Sequence, residues 1–549
     1  MLGRRIHTFG TLAFSAALLG ITLSVACGGD DSDTNTVSGA VTSNASAQSA
    51  DSSSSLSGSG GSTLQFMDGP MTGTGTGGDM SMASSSSGMG EGGTGTATYS
   101  KDFVVAGTAM TDSVQVYDVA VDGLGNIVVA GSLRGTIDFD GAGATPPVSS
   151  QGNTDFNAFV AKFDKDGVLM WIKVAGANDP QTANSVAIDK DNRVGVCGTF
   201  RGSVNWGGNQ LTVQDNQYTD AYAVVFDAAG AHVASQRYGA NSLGKSDLCS
   251  GAAFDPTGNL VITGQFQGSM NFGATTVGDN NGDFKIYLAK LTPNAATKGF
   301  TEVFAKAFAS PGVTTMGLTV AVDATGDIAL GGFSESAISF GLPSLTPKYP
   351  DIKQAVVARF DSDGKTKFQR MLHSEGESQV NSVAFHTNGD LLVGGVFKTS
   401  IDLGGGPLAA SGANNDAFVG RFDKTDKLLH AVRIGDGQSD ELNDLAVDPA
   451  GFPVFGGSFQ GSPVINSKTT LMAKGLRDGL VVKLANDDAH GYWGFGFGDT
   501  DFQEVKGIAV DKLGNVVFAG SFKGTLDLGG GTRVAPNGSQ ALFVGRFLP

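Results

Sequence analysis

The sequence predicts an all-β fold, a seven-bladed β-propeller of four-stranded antiparallel blades. Two observations predict it. A strand–turn–strand pattern recurs seven times at intervals of 62 to 68 residues, and nothing after residue 100 keeps a helical hydrophobic period. The first copy runs from Val119 to Gly131: an apolar run ends in Asp, a tight turn follows, and a second apolar run ends in Gly. The seven first runs end at Asp122, Asp189, Asp255, Asp323, His386, Asp448 and Asp511.

Residues 1–26 are predicted to be a signal peptide rather than part of the fold. A positively charged start precedes an apolar stretch at 12–25, which is too short to span a bilayer. The segment from Leu23 to Cys27 resembles a bacterial lipobox, with Ser24 where Leu or Val is usual. We therefore expect an exported lipoprotein, anchored through a lipid on Cys27 to the outer membrane or cell surface. An ordinary cleavage site without a lipid is the alternative.

Residues 27–98 are predicted to form a disordered linker behind the lipidated Cys27. Ser, Gly, Thr, Ala and Asp dominate this stretch, and few of its residues could build a core. A flexible coil of about 70 residues has a root-mean-square span of roughly 45–50 Å. Such a tether could hold a folded domain clear of a membrane surface.

Residues 99–549 are predicted to form the propeller, with strands a to d in each repeat. Strand a carries Ala in every copy, which suits a crowded innermost strand: Ala120, Ala187, Ala253, Ala321, Ala384, Ala446 and Ala509. Strand b ends in Gly, which suits a bulge or a close backbone approach: Gly131, Gly198, Gly264, Gly331, Gly395, Gly457 and Gly520.

The two ends of the repeat region predict how the ring closes. The seventh repeat has strands a, b and c, and then the chain ends without a strand d. A surplus segment from Lys101 to Gly107 lies at the start and matches strand d of the first repeat, Trp171 to Gly176. The N-terminal strand should therefore complete the last blade and remove an open sheet edge.

The pattern Ala-Val-Asp-x-x-Gly-Asn-x-x-x-x-Gly resembles the seven-bladed β-propeller repeat family (SBBP) of exported bacterial proteins. The resemblance covers the region from about 100 to 549. It implies a surface or envelope protein, and it does not specify a function.

Composition argues against nucleic acid as a partner, and the context of one P-loop-like motif argues against a nucleotide. The net charge is −17 and the chain is poor in Lys and Arg, whereas nucleic-acid binding needs a basic face. Residues 239–246, from Gly239 to Ser246, fit the P-loop pattern G-x-x-x-x-G-K-S. A P-loop must open a helix, but a predicted strand follows here, so we expect no nucleotide.

Cys197 and Cys249 could pair in an oxidising compartment, but they occupy small or apolar core positions of their repeats. This alignment favours two free buried thiols over a disulfide. The turns that begin at Asp164 and Asp361 have the opening residues of a calcium loop without its later acidic ligands, so turn chemistry explains them better.

Acidic residues in the late d–a connections give the candidate site. These connections lead into innermost strands on the face that carries the long loops, so their side chains should gather near the channel mouth. The nominated residues are Asp436, Asp440, Asp444, Asp499 and Asp501. They predict a site for a divalent cation such as Ca²⁺ or for a basic ligand. A solvated acidic face that only keeps the protein soluble is the alternative.

The function predicted from these features is a lipid-anchored binding or scaffolding module for an unidentified protein or glycan. One alternative is an envelope hydrolase or lyase that acts on polysaccharide or peptide at the channel mouth. A purely structural surface protein is the other. No catalytic residue can be nominated, because sequence alone does not show which side chains converge in space.

Overall fold

The computed structural model describes residues 97–140, 146–151, 155–176, 178–240, 244–279, 282–310, 312, 314–465, 469–486 and 491–549. The predicted signal peptide, Cys27 and nearly all of the predicted linker lie outside these described residues. The described part confirms the predicted fold class, because it forms seven four-stranded antiparallel blades of a β-propeller.

Each blade contains strands a to d, counted from the channel outward. The a strands are Ser113–Val121, Gln181–Ile188, Leu248–Phe254, Thr315–Val322, Ser378–Phe385, Glu441–Val447 and Gln503–Val510. The b strands are Ile127–Arg134, Val194–Phe200, Leu260–Gln267, Ile328–Ser334, Leu391–Phe397, Pro453–Phe459 and Val516–Phe522. The c strands are Asn157–Phe163, Asp220–Phe226, Phe284–Asn294, Gln354–Phe360, Asp416–Phe422, Asp478–Leu484 and Ala541–Leu548. The d strands are Leu169–Ala175, His232–Tyr238, Gly299–Ala309, Thr366–Ser374, Leu428–Gly435, Gly491–Phe497 and, for blade 7, Thr98–Gly107.

Short paired strands occupy six of the seven segments between strands b and c. They are Thr136–Asp138 with Val148–Ser149, Ser203–Val204 with Leu211–Thr212, Ser269–Asn271 with Thr276–Gly278, Ser400–Asp402 with Pro407–Ala409, Val464–Ile465 with Thr469–Thr470, and Thr525–Asp527 with Thr532–Val534. Three of these hairpins also pair with strand d of the preceding blade, as Ala106 does with Asp138. Among the described residues the one helix is a 3-10 turn at Pro536–Gly538.

The N-terminal strand closes the ring, as predicted. Strand d of blade 7 pairs antiparallel with strand c of the same blade, from Thr98 opposite Leu548 to Val105 opposite Leu542. The a strands of all seven neighbouring blade pairs contact one another, including blades 7 and 1, so the a strands form the innermost ring. The a–b and c–d turns form one end of this ring, the short-turn face, and the b–c and d–a segments form the other, the long-loop face.

A β-bulge in every a strand explains the repeated glycine of strand b. All seven a–b pairings shift register at the same place, as between Val116 and Asp118 in blade 1. The bulge turns the carbonyl of Gln115 toward Gly131, where a β-carbon would lie only 1.9 Å from the oxygen. In blade 4 the crowded residue is Gly332, 2.0 Å from the Met316 oxygen by the same measure, so the prediction of Gly331 was one residue off.

The hydrophobic cores lie between blades rather than within them. Each of the seven buried clusters combines residues of two neighbouring blades, as Val128, Val186 and Val224 do between blades 1 and 2. At one point of each interface, a strand b residue meets a strand a residue of the next blade. A β-carbon on Gly394 would lie 2.9 Å from Leu442.

The expectation of two free thiols was wrong, because Cys197 and Cys249 form a disulfide. Their Cα atoms are 5.7 Å apart and both residues are fully buried. Cys197 lies on strand b of blade 2, and Cys249 lies on strand a of blade 3. They occupy the b-to-a contact position of their interface, where the two strands pack face to face, so the bond ties blade 2 to blade 3.

Candidate functional site at the long-loop face

Four of the five nominated acids lie in d–a connections of the long-loop face, and the assignment of Asp444 to such a connection was wrong. Asp436 and Asp440 belong to the connection between blades 5 and 6. Asp499 and Asp501 belong to the equivalent connection between blades 6 and 7. Asp444 lies within strand a of blade 6, at the bulge on the innermost ring.

Asp436 and Asp499 hold the b–c segment of the next blade through backbone amides. Asp436 accepts hydrogen bonds from the amides of Gln438, at 2.7 Å, and Ser462. Asp499 accepts from the amide of Asp501 at 2.8 Å and from the Thr525 hydroxyl at 2.7 Å. Short acidic side chains in loops commonly satisfy nearby amides in this way. These carboxylates therefore stabilise the loops of this face, and Asp501 is the exposed acid of the second pair.

Asp440 is buried, with 1% of its surface exposed, and one carboxylate oxygen accepts from the Asp436 amide at 2.8 Å. Burial raises the pKa of Asp440 to about 8, and the nearby charges of Asp436 and Asp416 add to the increase. Asp440 therefore keeps its proton near neutral pH. A protonated carboxyl group is a poor ligand for a hard cation.

Asp444 has a counterpart, Asp118, that sequence reasoning missed. Asp118 lies at the same bulge position of blade 1 and accepts from the Ser185 hydroxyl at 2.9 Å and the Val186 amide at 2.8 Å, both of blade 2. Asp444 likewise accepts from the Ser382 hydroxyl at 2.8 Å in blade 5. Burial raises the pKa of Asp118 to about 7, with a further contribution from the charge of Asp444.

The Asp118 and Asp444 carboxylates therefore link neighbouring blades through hydrogen bonds at the inner ring. Asp444 also accepts from the Ile508 amide at 2.8 Å, so it bonds to both blades beside its own. The sequence offered a signal for the pair: Ser, Gly or Thr fills this position in the other five repeats, Ser185, Gly251, Thr319, Ser382 and Gly507.

Four charged residues outside the nominated set lie together at the inner edge of blades 6 and 7. We call Glu441, Arg477, Glu504 and Lys506 the charged cluster. Arg477 Nη1 lies 3.2 Å from Glu441 Oε2 and 3.9 Å from Glu504 Oε2. Lys506 Nζ lies 2.9 Å from the same Glu504 oxygen. Sequence reasoning missed both cations. Lys506 could have been found, because it stands at the bulge residue that is Asn184, Asn381 and Asn443 in three other repeats.

Asn and Ser at the bulge make an uncharged contact with the next blade. Asn381 and Asn443 each donate to a backbone carbonyl of that blade at 2.7 Å. The bulge residues of blades 5 and 6 thus contact the next blade through neutral hydrogen bonds, whereas Lys506, the bulge residue of blade 7, forms an ion pair with Glu504.

Within the part of the chain that the structure describes, no three His, Cys, Asp or Glu side chains come together in an arrangement that could hold a metal ion. The turn beginning at Asp164 is a hydrogen-bonded turn, in which Asp164 Oδ1 accepts from the amides of Asp166 and Val168, both at 2.8 Å. The Asp361 turn repeats this geometry with the amides of Asp363 and Lys365.

The P-loop-like segment connects two strands. Strand d of blade 2 ends at Tyr238 and strand a of blade 3 begins at Leu248, while residues 241–243 lie outside the described residues. No helix in the described ranges has the length and apolar character needed to cross a membrane.

No protein-family model matches this chain, and no curated protein matches it. A solved protein of unknown function from Dyadobacter fermentans is similar at 10% identity, over 82% of this chain and 99% of that one, with a TM-score of 0.38. Sqt1 from Chaetomium thermophilum is similar at 11% identity, over 81% and 100%, with a TM-score of 0.37. XC5397 from Xanthomonas campestris, described as a gluconolactonase, is similar at 11% identity, over 66% and 94%, with a TM-score of 0.26. Likenesses of this size carry no argument about function.

Proposed function

We propose that the chain is an exported, lipid-anchored β-propeller that binds a cationic ligand at the long-loop end of its channel. The observation that carries the proposal is the charge of this face beside blades 5, 6 and 7. Besides the protonated Asp440, three successive d–a connections contain five acids and no Lys or Arg: Glu375, Glu377, Asp436, Asp499 and Asp501, of which Glu377 pairs with Lys398 at 2.9 Å. A focused negative field of this kind attracts and orients cationic groups.

Arg477 illustrates the chemistry that such a ligand would meet. Its guanidinium group contacts carboxylates from two different blades, Glu441 and Glu504. A Lys- or Arg-bearing peptide is the ligand class that fits this arrangement, because its cations can pair with carboxylates on a rigid scaffold. The calcium alternative has weaker support, since amides and hydroxyls already occupy oxygens of Asp436, Asp444 and Asp499.

Export is supported by the disulfide as well as by the N-terminal sequence. Cys197–Cys249 links two blades in the buried core, and disulfides form and persist mainly outside the cytosol. Mass spectrometry of the mature protein tests the anchor. We expect an acylated Cys27 at the N-terminus and loss of processing with Cys27→Ser. An unmodified N-terminus at another residue would remove the anchor from the proposal.

The hydrolase alternative takes its support from Asp118 and Asp444, because buried carboxyl groups with a raised pKa can serve as general acids in enzymes. Their contacts favour a structural role. Asp118 accepts hydrogen bonds from Val119, Ser185 and Val186, which fix both of its oxygens to the scaffold. A carboxyl group held in this way is not free to transfer a proton to a substrate.

Calorimetric titration with a short oligolysine peptide tests ligand binding. We expect measurable heat with residues 28–549 and at least about tenfold weaker binding in the Glu375→Gln/Asp501→Asn variant, which neutralises two exposed acids of the d–a connections. The control is Asp191→Asn/Asp363→Asn, which removes the same charge from two exposed turns of the short-turn face and should bind as the unaltered chain does. No heat with the unaltered chain, or equal loss in both variants, would contradict the proposal.

A further inference from the structure

The chain enters the propeller at the short-turn face. Strand d of blade 7 begins at Thr98, which pairs with Leu548 at the end of strand c. In the other blades the end of strand c leads into a c–d turn, and these turns belong to the short-turn face. Everything before residue 97, including the predicted lipid site, is therefore connected to the ring at this face, on the side of blade 7.

Exposed apolar side chains surround this point. Leu513 is 78% exposed, Leu124 is 72% exposed, Val168 is 62% exposed and Leu548 is 41% exposed. We call these four residues the apolar patch. All four belong to blades 7 and 1, the two blades on either side of the place where the chain enters.

Close contacts join the turns that carry the patch into one surface. A β-carbon on Gly514 would lie 3.3 Å from Pro549, next to Leu548. One on Gly123 would lie 3.1 Å from Lys512 Nζ, which joins the a–b turns of blades 7 and 1. One on Gly125 would lie 3.7 Å from the Lys165 β-carbon, in the c–d turn that carries Val168. The turns that carry the apolar patch are therefore neighbours across the two blades.

The leucines of the patch are departures from the repeat. Leu124 and Leu513 occupy the same position of the a–b turn, where their amides bond to the turn aspartate. The other five repeats place Asp191, Thr257, Thr325, Asn388 and Ala450 there. The turn itself does not need an apolar residue, because Asp, Thr and Asn form the same turn elsewhere in the ring.

Charged side chains of both signs stand beside the patch. Lys101, Lys165 and Lys512 lie among the four apolar residues, Asp164 and Asp511 belong to the same turns, and Asp166 is paired with the first two lysines. The acid-rich d–a connections lie at the opposite end of the ring. An anionic lipid surface would repel the second end more strongly than the first, where lysines accompany the acids.

We propose that the apolar patch docks on the lipid surface to which the chain is anchored, so that the short-turn face lies toward the membrane and the long-loop face points away. This proposal rests on the anchoring part of the proposed function. Exposed leucines with neighbouring lysines bind the interface between headgroups and acyl chains through apolar burial and electrostatic attraction. The acidic channel mouth then faces the medium from which its ligand arrives.

Vesicle binding by the chain without its lipid tests the docking surface. Residues 28–549 contain every strand of the closed ring, so this chain can be exported behind a cleavable signal peptide and purified without an acyl group. The probe is a vesicle of phosphatidylethanolamine with phosphatidylglycerol as the minor component. We expect weak, measurable co-sedimentation, which falls at least about tenfold in the Leu124→Asp/Leu513→Asp variant.

The matched control is Thr257→Asp/Thr325→Asp, which adds the same two charges at the same turn position of blades 3 and 4. Asp is native there in blade 2, so both variants should fold and unfold thermally as the unaltered chain does. The control should bind vesicles like the unaltered chain. Equal loss in the control, unchanged binding in the leucine variant, or no binding by the unaltered chain would overturn the proposal.

Measurement of the oligomeric state tests whether a second copy of the chain, rather than lipid, covers the apolar patch. A chain that is dimeric in solution and becomes monomeric with Leu124→Asp/Leu513→Asp would assign the apolar patch to a second copy and overturn lipid docking. Because none of these assays contains an acyl group, they are independent of whether Cys27 is lipidated. Mass spectrometry of the mature N-terminus answers that separate question.

Discussion

Buried aspartates at the two ends of the ring face different partners. At the short-turn face, Asp122 lies 2.8 Å from Lys162 of strand c, and both side chains are 1% exposed. Blade 6 repeats the pair with Asp448 and Lys483 at 2.8 Å. Burial works to raise the pKa of Asp122, but the ion pair with Lys162 and hydrogen bonds from Asn126 hold it below the usual range.

At the long-loop face, Asp247 and Asp440 are buried and meet backbone amides instead of cations, whereas Asp220 and Asp416 also pair with an arginine. Asp247 accepts from the Ala240 amide at 2.7 Å and the Gln267 amide at 3.0 Å. Burial raises the pKa of Asp247 to about 7, and the same cause acts on Asp440. The two ends thus use one residue type in opposite ways: an ion pair stabilises the charged form at one end, and burial favours the neutral form at the other.

Removing the strand that spans both ends should have the largest effect. Deletion of residues 99–108 leaves strand c of blade 7 without its partner and removes Asp102, which Arg533 contacts at 2.8 Å. We expect loss of cooperative thermal unfolding, or aggregation through the open edge. An unchanged unfolding transition, measured by calorimetry, would show that the ring does not depend on this strand.

Breaking a buried ion pair at the short-turn face should have the next largest effect. Lys162→Met leaves the Asp122 carboxylate buried without its cation, and we expect a loss of about 3–5 kcal/mol in the free energy of unfolding. Lys190→Met is the control, because Lys190 pairs with Asp191 at 2.7 Å on the same face with both side chains about 60% exposed. The control should change stability by less than about 1 kcal/mol. Equal effects would contradict the assignment of a structural role to the buried pair.

Neutralising a buried acid at the long-loop face should be the least destabilising of these changes. Asp440→Asn imitates the protonated side chain, so we expect a change of less than about 1 kcal/mol near pH 4, where Asp440 carries a proton in the folded and the unfolded chain. As the pH rises from about 4 to 8, the variant should become progressively more stable than the unaltered chain, in which folding must keep a proton on Asp440 that the unfolded chain releases. Asp448→Asn at the other end should instead destabilise the protein at every pH above the usual range of Asp, because it weakens a buried pair. Chemical unfolding of both variants at two pH values compares the ends directly.

The fold could be predicted from the sequence because each repeat has the same residue types at positions where the backbone geometry requires them. Ala marks the innermost strand, Gly131 and its equivalents avoid the bulged carbonyl, and the segment from Lys101 to Gly107 matches the missing outer strand. The one-residue error at Gly331 arose because Gly332 follows it, and pattern matching cannot choose between two adjacent glycines. Strand pairing resolves the choice.

Contacts between blades were harder to predict because they join residues of different repeats. The Cys197 and Cys249 positions correspond to Gly331 with Val380 and to Gly394 with Leu442, where a small residue faces a large one. In those repeats a small residue at the first position accompanies a large residue at the second. This pairing of sizes indicated that the two positions are in contact, and therefore that the two cysteines are as well.

The charged cluster around Arg477 was missed for a related reason. Arg477 belongs to a b–c segment, and these segments share no repeated sequence pattern. It contacts Glu441 and Glu504 only when blades 6 and 7 pack together. Its partners could not be read from spacing along the chain.

The midpoint of thermal unfolding as a function of pH tests the contrast between the two ends most directly. Aspartates with a lowered pKa, such as Asp122, contribute stability that is present above about pH 4 and lost as the pH falls through their folded pKa. Those with a raised pKa, Asp247 at about 7 and Asp440 at about 8, contribute stability that is present below about pH 4 and lost as the pH rises through those values. We expect the midpoint to be highest near pH 4 to 5 and to fall steadily to about pH 8. A midpoint that rises from about pH 5 to pH 8 would contradict the account.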